Sequence, residues 1–264
     1  MKAVPNAAEL ALQALGITEP GEIDVEVVAR SLGAKVKYRQ LTSCEARIVG
    51  RDGSAIITVD SHVHPRRRRF SVAHELGHWH RHRGVCLLCR SGDIGRPLSD
   101  GRRTSIAANP ELQADAYASD LLLPGYIFRP MAADLDRLTL AGVRSLAEQF
   151  QTSLTATAIR VLEANRFPAM LVCHAQTGMR WFRRPPIVPD RWFPRADLQP
   201  ESPAFKALFS GAPESKQPVV GKASWWFDHP AAERFTIAEQ SFALPNNQLA
   251  TLLLFTDKKM LELG

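Results

Sequence analysis

The residues of this 264-residue chain best placed to do chemistry are two histidines four positions apart with a glutamate after the first: Ala73-His74-Glu75-Leu76-Gly77-His78. On an α-helix, positions i and i+4 share one face, so both imidazoles can reach a single ion. Zinc takes N, O and S donors at about 2.0–2.3 Å, and a catalytic zinc site keeps three protein ligands and one open position. A third ligand is therefore needed. Downstream, Asn109-Pro110-Glu111-Leu112-Gln113-Ala114-Asp115 offers Glu111, with Asp115 one turn later on the same face. Glu75 neighbours a ligand but points in another direction, which suits a general base acting on water in the open position. A bound zinc ion would lower the pKa of that water from ~15.7 to about 7. Tyr117, His80 and His82 are the nearest candidates in sequence to help an oxyanion, and nothing in the sequence chooses among them.

These residues need helices to hold them. Phe70 to about His82 has no internal proline and sets Phe70, Ala73, Leu76 and Gly77 to one side, which predicts a buried helix with His74 and His78 on its other face. Asn109-Pro110 is a cap followed by proline at the first helical position, and Pro124 closes a second helix over 110–123. Residues 84–108, rich in glycine, read as a loop.

Ahead of the motif, residues 6–16 and 23–33 show helical spacing with Asn6 and Asp24 as starts. The stretch AKVKYRQL alternates like a strand, and residues 45–60 hold two β-like runs around Asp52-Gly53, a hairpin turn pair. Helices leading into a small antiparallel sheet are expected. Residues 137–163 read as two short helices around Gln151-Thr152-Ser153, spaced like a helix-turn-helix. Beyond about residue 165 the chain turns rich in proline and tryptophan and ends in the strand-like LATLLLF. The expected architecture is α+β: residues 1–130 a minimal zincin-like domain of small sheet and active-site helices, 131–165 a helix-turn-helix-like extension, and 166–264 a smaller C-terminal α+β module of unknown function.

With 45% hydrophobic and 23% charged residues the chain has material for a core and lacks the composition of disorder. The formal charge of +6 suits an acidic partner, but much of it lies in Arg66 to Arg69, Arg102-Arg103 and Arg180 to Arg184, so only a weak DNA contact is expected. Four cysteines are too few for a disulfide framework, and neither a secretory leader nor a membrane span is visible. A cytoplasmic protein without membrane contact is the expectation.

The segments RRRRFSVAHELGHWHRH and ELQADAYASDLLLP together resemble the ImmA/IrrE family of metallo-endopeptidases. With the strand-like segments before the motif, the resemblance covers about residues 5–163. It implies zinc held by His74, His78 and Glu111, Glu75 as base, and site-specific cleavage of a helix-turn-helix transcriptional repressor in a stress or mobile-element response. The Glu-then-Asp spacing is also similar to that of thermolysin-like peptidases, which makes Asp115 the group orienting an imidazole, that of His74.

Other signals are weaker. Cys86-Leu-Leu-Cys89 could bind a second zinc with His80, His82 or Cys44, although a lone pair of this kind usually does not. Cys44 could approach the metal as a redox-sensitive ligand, against the plainer reading of core packing. Trp225-Trp226-Phe227 could face a protein partner, but such aromatics are more often core. The competing functional class is a non-catalytic DNA-binding or metal-sensing regulator whose zinc site is structural. Such a site would be closed by a fourth protein ligand and would have no use for Glu75.

Overall fold

Helix caps set the start of the chain. In the computed structural model, which describes residues 5–81, the backbone of 87–89, and residues 109–262, helix α1 (Ala7–Ala14) begins at a reciprocal capping box. The Asn6 side chain accepts the Glu9 N–H at 3.0 Å and the Glu9 carboxylate accepts the Asn6 N–H at 3.2 Å. Helix α2 (Val25–Ser31) is capped by Asp24, which accepts from the N–H groups of Glu26 and Val27. Strand β1 (Ala34–Arg39) follows, then β2 (Ala46–Arg51) and β3 (Ser54–Asp60). The β2–β3 hairpin turns on Asp52 and Gly53, with φ of +50° and +80°, the two positive values that a two-residue type I′ turn requires.

The sheet departs from expectation. Its order is β1-β3-β2-β4, and β1 runs parallel to β3, so it is mixed and not antiparallel. Alternation in a sequence tells which face a residue takes, but not which strand lies beside it or in which direction. Strand β4 (Leu87–Cys89), in the stretch read as a loop, pairs antiparallel with β2, and three residues are too few for a periodic signal. The rest of 84–108, with Cys86, and also His82, lie outside the described residues.

Helix α3 (Pro65–Arg81) starts five residues before the apolar pattern that announces it. His64 opens it, its carbonyl accepting the Arg68 N–H at 3.0 Å, with Pro65 at the first position. The intervening arginines carry no periodicity, yet each is engaged. Arg66 donates to the Thr152 carbonyl at 3.1 Å and pairs with Glu148. Arg67 grips the buried Glu45 carboxylate through two bonds of 2.5 and 3.1 Å, and the Ser71 hydroxyl donates to the same carboxylate at 2.6 Å. Arg68 lies over the Tyr38 ring at 5.3 Å, and Arg69 donates to the Ile23 carbonyl at 2.9 Å. The arginine run is thus internal scaffolding.

Helix α4 (Pro110–Leu122) begins where the Asn109 side chain accepts the Glu111 N–H at 3.0 Å. Helix α5 (Gly125–Ala133), which the sequence did not announce, starts where Glu9 accepts the Gly125 N–H at 2.6 Å. Helices α6 (Leu140–Phe150) and α7 (Leu154–Glu163) flank a turn at Gln151, as the spacing predicts. Their basic residues are paired, Arg144 with Glu214 at 2.5 Å and Arg160 with Glu163 at 3.2 Å, which leaves little for phosphate contact.

The chain divides into two compact units: residues 5–81, 87–89, 109–131 and 146–156 in one, 132–145 and 157–262 in the other. The first unit buries Leu12, Ile57, Leu76, Leu121 and Phe128. The second is built on an antiparallel sheet of order β6-β5-β9-β8-β7, from β5 (Ala169–Ala175), β6 (Gly178–Arg183), β7 (Val219–Lys222), β8 (Thr236–Leu244) and β9 (Gln248–Leu254). Helices α8 (Pro203–Ser210) and α9 (Lys259–Glu262) complete it. Trp192, Trp226, Phe182 and Phe227 form its core, so Trp226 and Phe227 are packing and not an exposed surface. Glu239 is buried among them. Ala204 N–H donates to its Oε1 at 2.9 Å and Trp226 Nε1–H to its Oε2, while burial pushes its pKa up to about 7. Helices and sheets in both units make the fold α+β. No described helix is long and apolar enough to cross a membrane.

Candidate metal centre

Helices α3 and α4 meet at Gly77. A Cβ there would lie 2.8 Å from the Ala114 Cα, 3.0 Å from its carbonyl oxygen and 3.1 Å from the Tyr117 Cβ. Carbon atoms normally settle about 3.5–4.0 Å apart, so no side chain fits without moving α4. Gly77 precedes His78 directly and Ala114 lies one turn after Glu111. The closeness that glycine allows therefore sets how far the two imidazoles stand from the carboxylate. Glycine's role was not legible from the motif alone; a small residue on a helix contact face was the available signal.

The three donors converge. His74 Nε2 lies 3.0 Å from His78 Nε2 and 3.2 Å from Glu111 Oε2, and His78 Nε2 lies 3.4 Å from Glu111 Oε1. His74 and His78 are buried, with rings 4.7 Å apart and nearly perpendicular, while Glu111 is half-buried. Tetrahedral ligands about 2.0–2.1 Å from one ion stand about 3.3 Å from each other, close to the separations found here. Two nitrogens and a carboxylate oxygen at these spacings fit a single divalent cation, and this group is the metal-competent cluster found among the described residues.

The electrostatics agree. Burial by itself would lower the pKa of His74, but hydrogen bonds to the Asp115 and Glu111 carboxylates outweigh it and raise it to about 9. The same imidazoles, His74 foremost and then His78, hold the Glu111 carboxyl far below the usual carboxylate range. The site gathers negative charge on one side and ring nitrogens on the other, an arrangement that a cation would complete.

The other candidate residues take distinct places. His74 Nδ1 bonds Asp115 Oδ1 at 2.8 Å, the contact that fixes which nitrogen of the ring faces Glu111. Glu75 is fully buried in the same turn of α3. Tyr117 is buried at the helix crossing, where burial pushes its hydroxyl up to about 12, and its ring stacks on His80 at 5.6 Å. Cys44 is a half-buried free thiol outside the donor cluster. Beside it stands the buried Glu45, which no motif announces and which ties the start of β2 to the first turns of α3 through Arg67 and Ser71.

A family model described as Peptidase_M78, IrrE N-terminal-like domain, matches residues 21–171. No curated protein matches the sequence. Among solved structures, the chain is similar to one named "Mycobacterium tuberculosis transcriptional regulator", with a TM-score of 0.58 at 16% identity, covering 94% of this chain and 85% of that one. At that identity the likeness speaks for the fold alone.

Proposed function

Since the chain belongs to the Peptidase_M78 family, we propose that it is a zinc-dependent endopeptidase whose substrate is a helix-turn-helix transcriptional repressor, cleaved in a stress or mobile-element response. One observation carries the reading: three donors of the right type, 3.0–3.4 Å apart, with a buried glutamate in the same helical turn. The fold shared with a protein named as a transcriptional regulator fits a regulatory setting.

His74, His78 and Glu111 would hold the ion, and Asp115 would keep the His74 ring oriented through its 2.8 Å bond. Zinc, when bound, supplies Lewis acidity that polarises the scissile carbonyl and makes water more acidic. Glu75 takes a proton from the attacking water and passes it to the leaving amine nitrogen. Burial of Glu75 keeps competing bulk water from the carboxylate and strengthens its interactions in the site. Tyr117, His80 and His82 remain the side chains proposed to steady the developing oxyanion. Residues 1–130 carry the chemistry in this reading, with 131–165 and 166–264 as appended modules.

The test is to incubate the purified chain with the helix-turn-helix repressor encoded beside it, with and without a chelator, alongside the Glu75→Gln form. Discrete fragments are expected only from the unmodified, metal-replete chain. Cleavage that survives both the chelator and Glu75→Gln would overturn the mechanism, and an intact repressor would overturn the substrate. A non-catalytic regulator with a structural zinc site would instead bind zinc through a fourth protein ligand and cleave nothing.

A further inference from the structure

We propose that the outward face of the β1-β3-β2 sheet docks on the phosphate backbone of duplex DNA. The register fixes what that face displays. Opposite Ile56 and Thr58 of β3 stand Lys35 and Lys37 of β1 on one side, and Val49 and Arg47 of β2 on the other. Arg39 and Arg51 extend the two rows. The alternate residues Ala34, Ala46, Ile48, Ala55, Ile57 and Val59 are buried, so this set points away from the core, although Thr58 in the middle strand is itself buried at 7% exposure. Lys35, Lys37, Arg39, Arg47 and Arg51 are all exposed, as are Val49 and Ile56 at 60% and 41%.

Among the described residues most of this charge is unpaired. Arg66, Arg67, Arg144, Arg160, Arg184 and Arg195 each pair with a carboxylate. Lys35, Lys37, Arg39 and Arg47 enter no ion pair among the described residues, and Arg51 has only the exposed Asp52 in the adjoining turn. At the corner of the face, Asp60 accepts from the His62 N–H and contacts its ring. Asp60 stands opposite Arg39 and Asp52 beside Arg51, so five cations face two carboxylates, and the excess creates a local positive field, the electrostatic footprint of a polyanion partner.

Geometry selects the polyanion. Cations within a row are about 6.6 Å apart, and the rows, two strands apart, are separated by about 9.6 Å. An extended acidic peptide would meet one row; a duplex offers two lines of phosphates bordering a groove. The described residues of the face include no aromatic side chain on which single-stranded bases could stack, and a sheet face has no helix to enter the major groove. The contact is therefore with phosphates and is independent of sequence. With four phosphates neutralised, log K should fall with log[salt] at a slope of about −3.6, which weakens binding about 100-fold between 50 and 200 mM.

The experiment is fluorescence anisotropy of a short labelled duplex of arbitrary sequence with the full chain over that salt range. The Lys35→Gln/Lys37→Gln/Arg39→Gln/Arg47→Gln variant is compared with Lys206→Gln/Lys216→Gln/Lys258→Gln/Lys259→Gln, which removes the same charge elsewhere. The sheet variant is expected to lose about 100-fold in affinity at low salt and most of the slope, and the control to lose less than about tenfold. Val49→Glu, a single change in the middle of the face, is expected to weaken binding about tenfold and decides the matter if the fourfold variant does not fold. No binding by the unmodified chain at low salt, equal losses in both fourfold variants, or no effect of Val49→Glu overturns the proposal. So does preferential binding of poly-glutamate, which would mark the face as a peptide site. The readout needs neither zinc nor Glu75, so its failure would leave the peptidase reading untouched.

Discussion

Replacing Gly77 by alanine should separate the metal site from the stability of the fold. The added Cβ would sit 2.8 Å from a backbone carbon of α4, where about 3.5–4.0 Å is normal, so α4 must withdraw by roughly 1 Å. Overpacking of this kind costs about 1–3 kcal/mol, against a gain of about 1 kcal/mol from the better helix propensity of alanine over glycine. The metal-free variant should therefore lose only about 0–2 kcal/mol. The donor set is less forgiving. Ligand distances tolerate about 0.2 Å, and Glu111 rides on the helix that recedes. Zinc affinity should fall by at least the 10–100-fold that disturbing a ligand's support typically costs. Chelator competition measures the affinity, and thermal melts with and without zinc measure the stability. An alanine variant with unchanged zinc affinity would refute the reasoning that the helix approach at Gly77 sets the site.

Asp115→Ala should lower the stability of the metal-free chain by about 1–3 kcal/mol, because the buried His74 ring loses its carboxylate partner, and should weaken zinc binding about 10–100-fold, read by the same competition assay, because the 2.8 Å bond that orients His74 is lost. Arg67→Ala should lower stability by about 3 kcal/mol in urea unfolding, because it strips the charged partner from the buried Glu45 carboxylate and leaves it only the Ser71 hydroxyl among the bonds described above. Glu239 gives a pH dependence. Its folded pKa is raised to about 7 from an ordinary value of 4.5, so the folded state prefers the neutral acid. That stability is fully present below pH 4.5 and is lost as pH rises through about 7, a span on the order of 3 kcal/mol. Unfolding of the Glu239→Gln variant should be flatter than that of the unmodified chain between about pH 5 and 8, and parallel profiles would exclude Glu239 as the titrating group.

Much of the candidate site was legible because its signals are local. The spacing of His74 and His78, the Asn109-Pro110 cap and the Asp52-Gly53 turn each depend on a few adjacent residues, and each appears where local chemistry puts it. What escaped depends on partners distant in sequence. The parallel pairing of β1 with β3 is invisible to alternation, and the first turn of α3 is hidden because its arginines are held by Glu45, Glu148, Tyr38 and Ile23. The second unit's sheet was only glimpsed at its last strand, because strands such as β5 and β8 are buried on both faces and lose the period-two pattern. The arginine run, read as a solvated surface, serves as scaffolding, and a set of exposed cations lies instead on the quieter KVKYR and ARIVGR strands.

The most direct measurement is a crystal structure of the zinc-loaded chain with diffraction recorded at the zinc absorption edge. One anomalous peak per chain is expected, about 2.0–2.2 Å from His74 Nε2, His78 Nε2 and a Glu111 carboxylate oxygen, with the fourth position open to solvent. A peak away from these atoms, a fourth protein ligand closing the site, or no peak at all would contradict it.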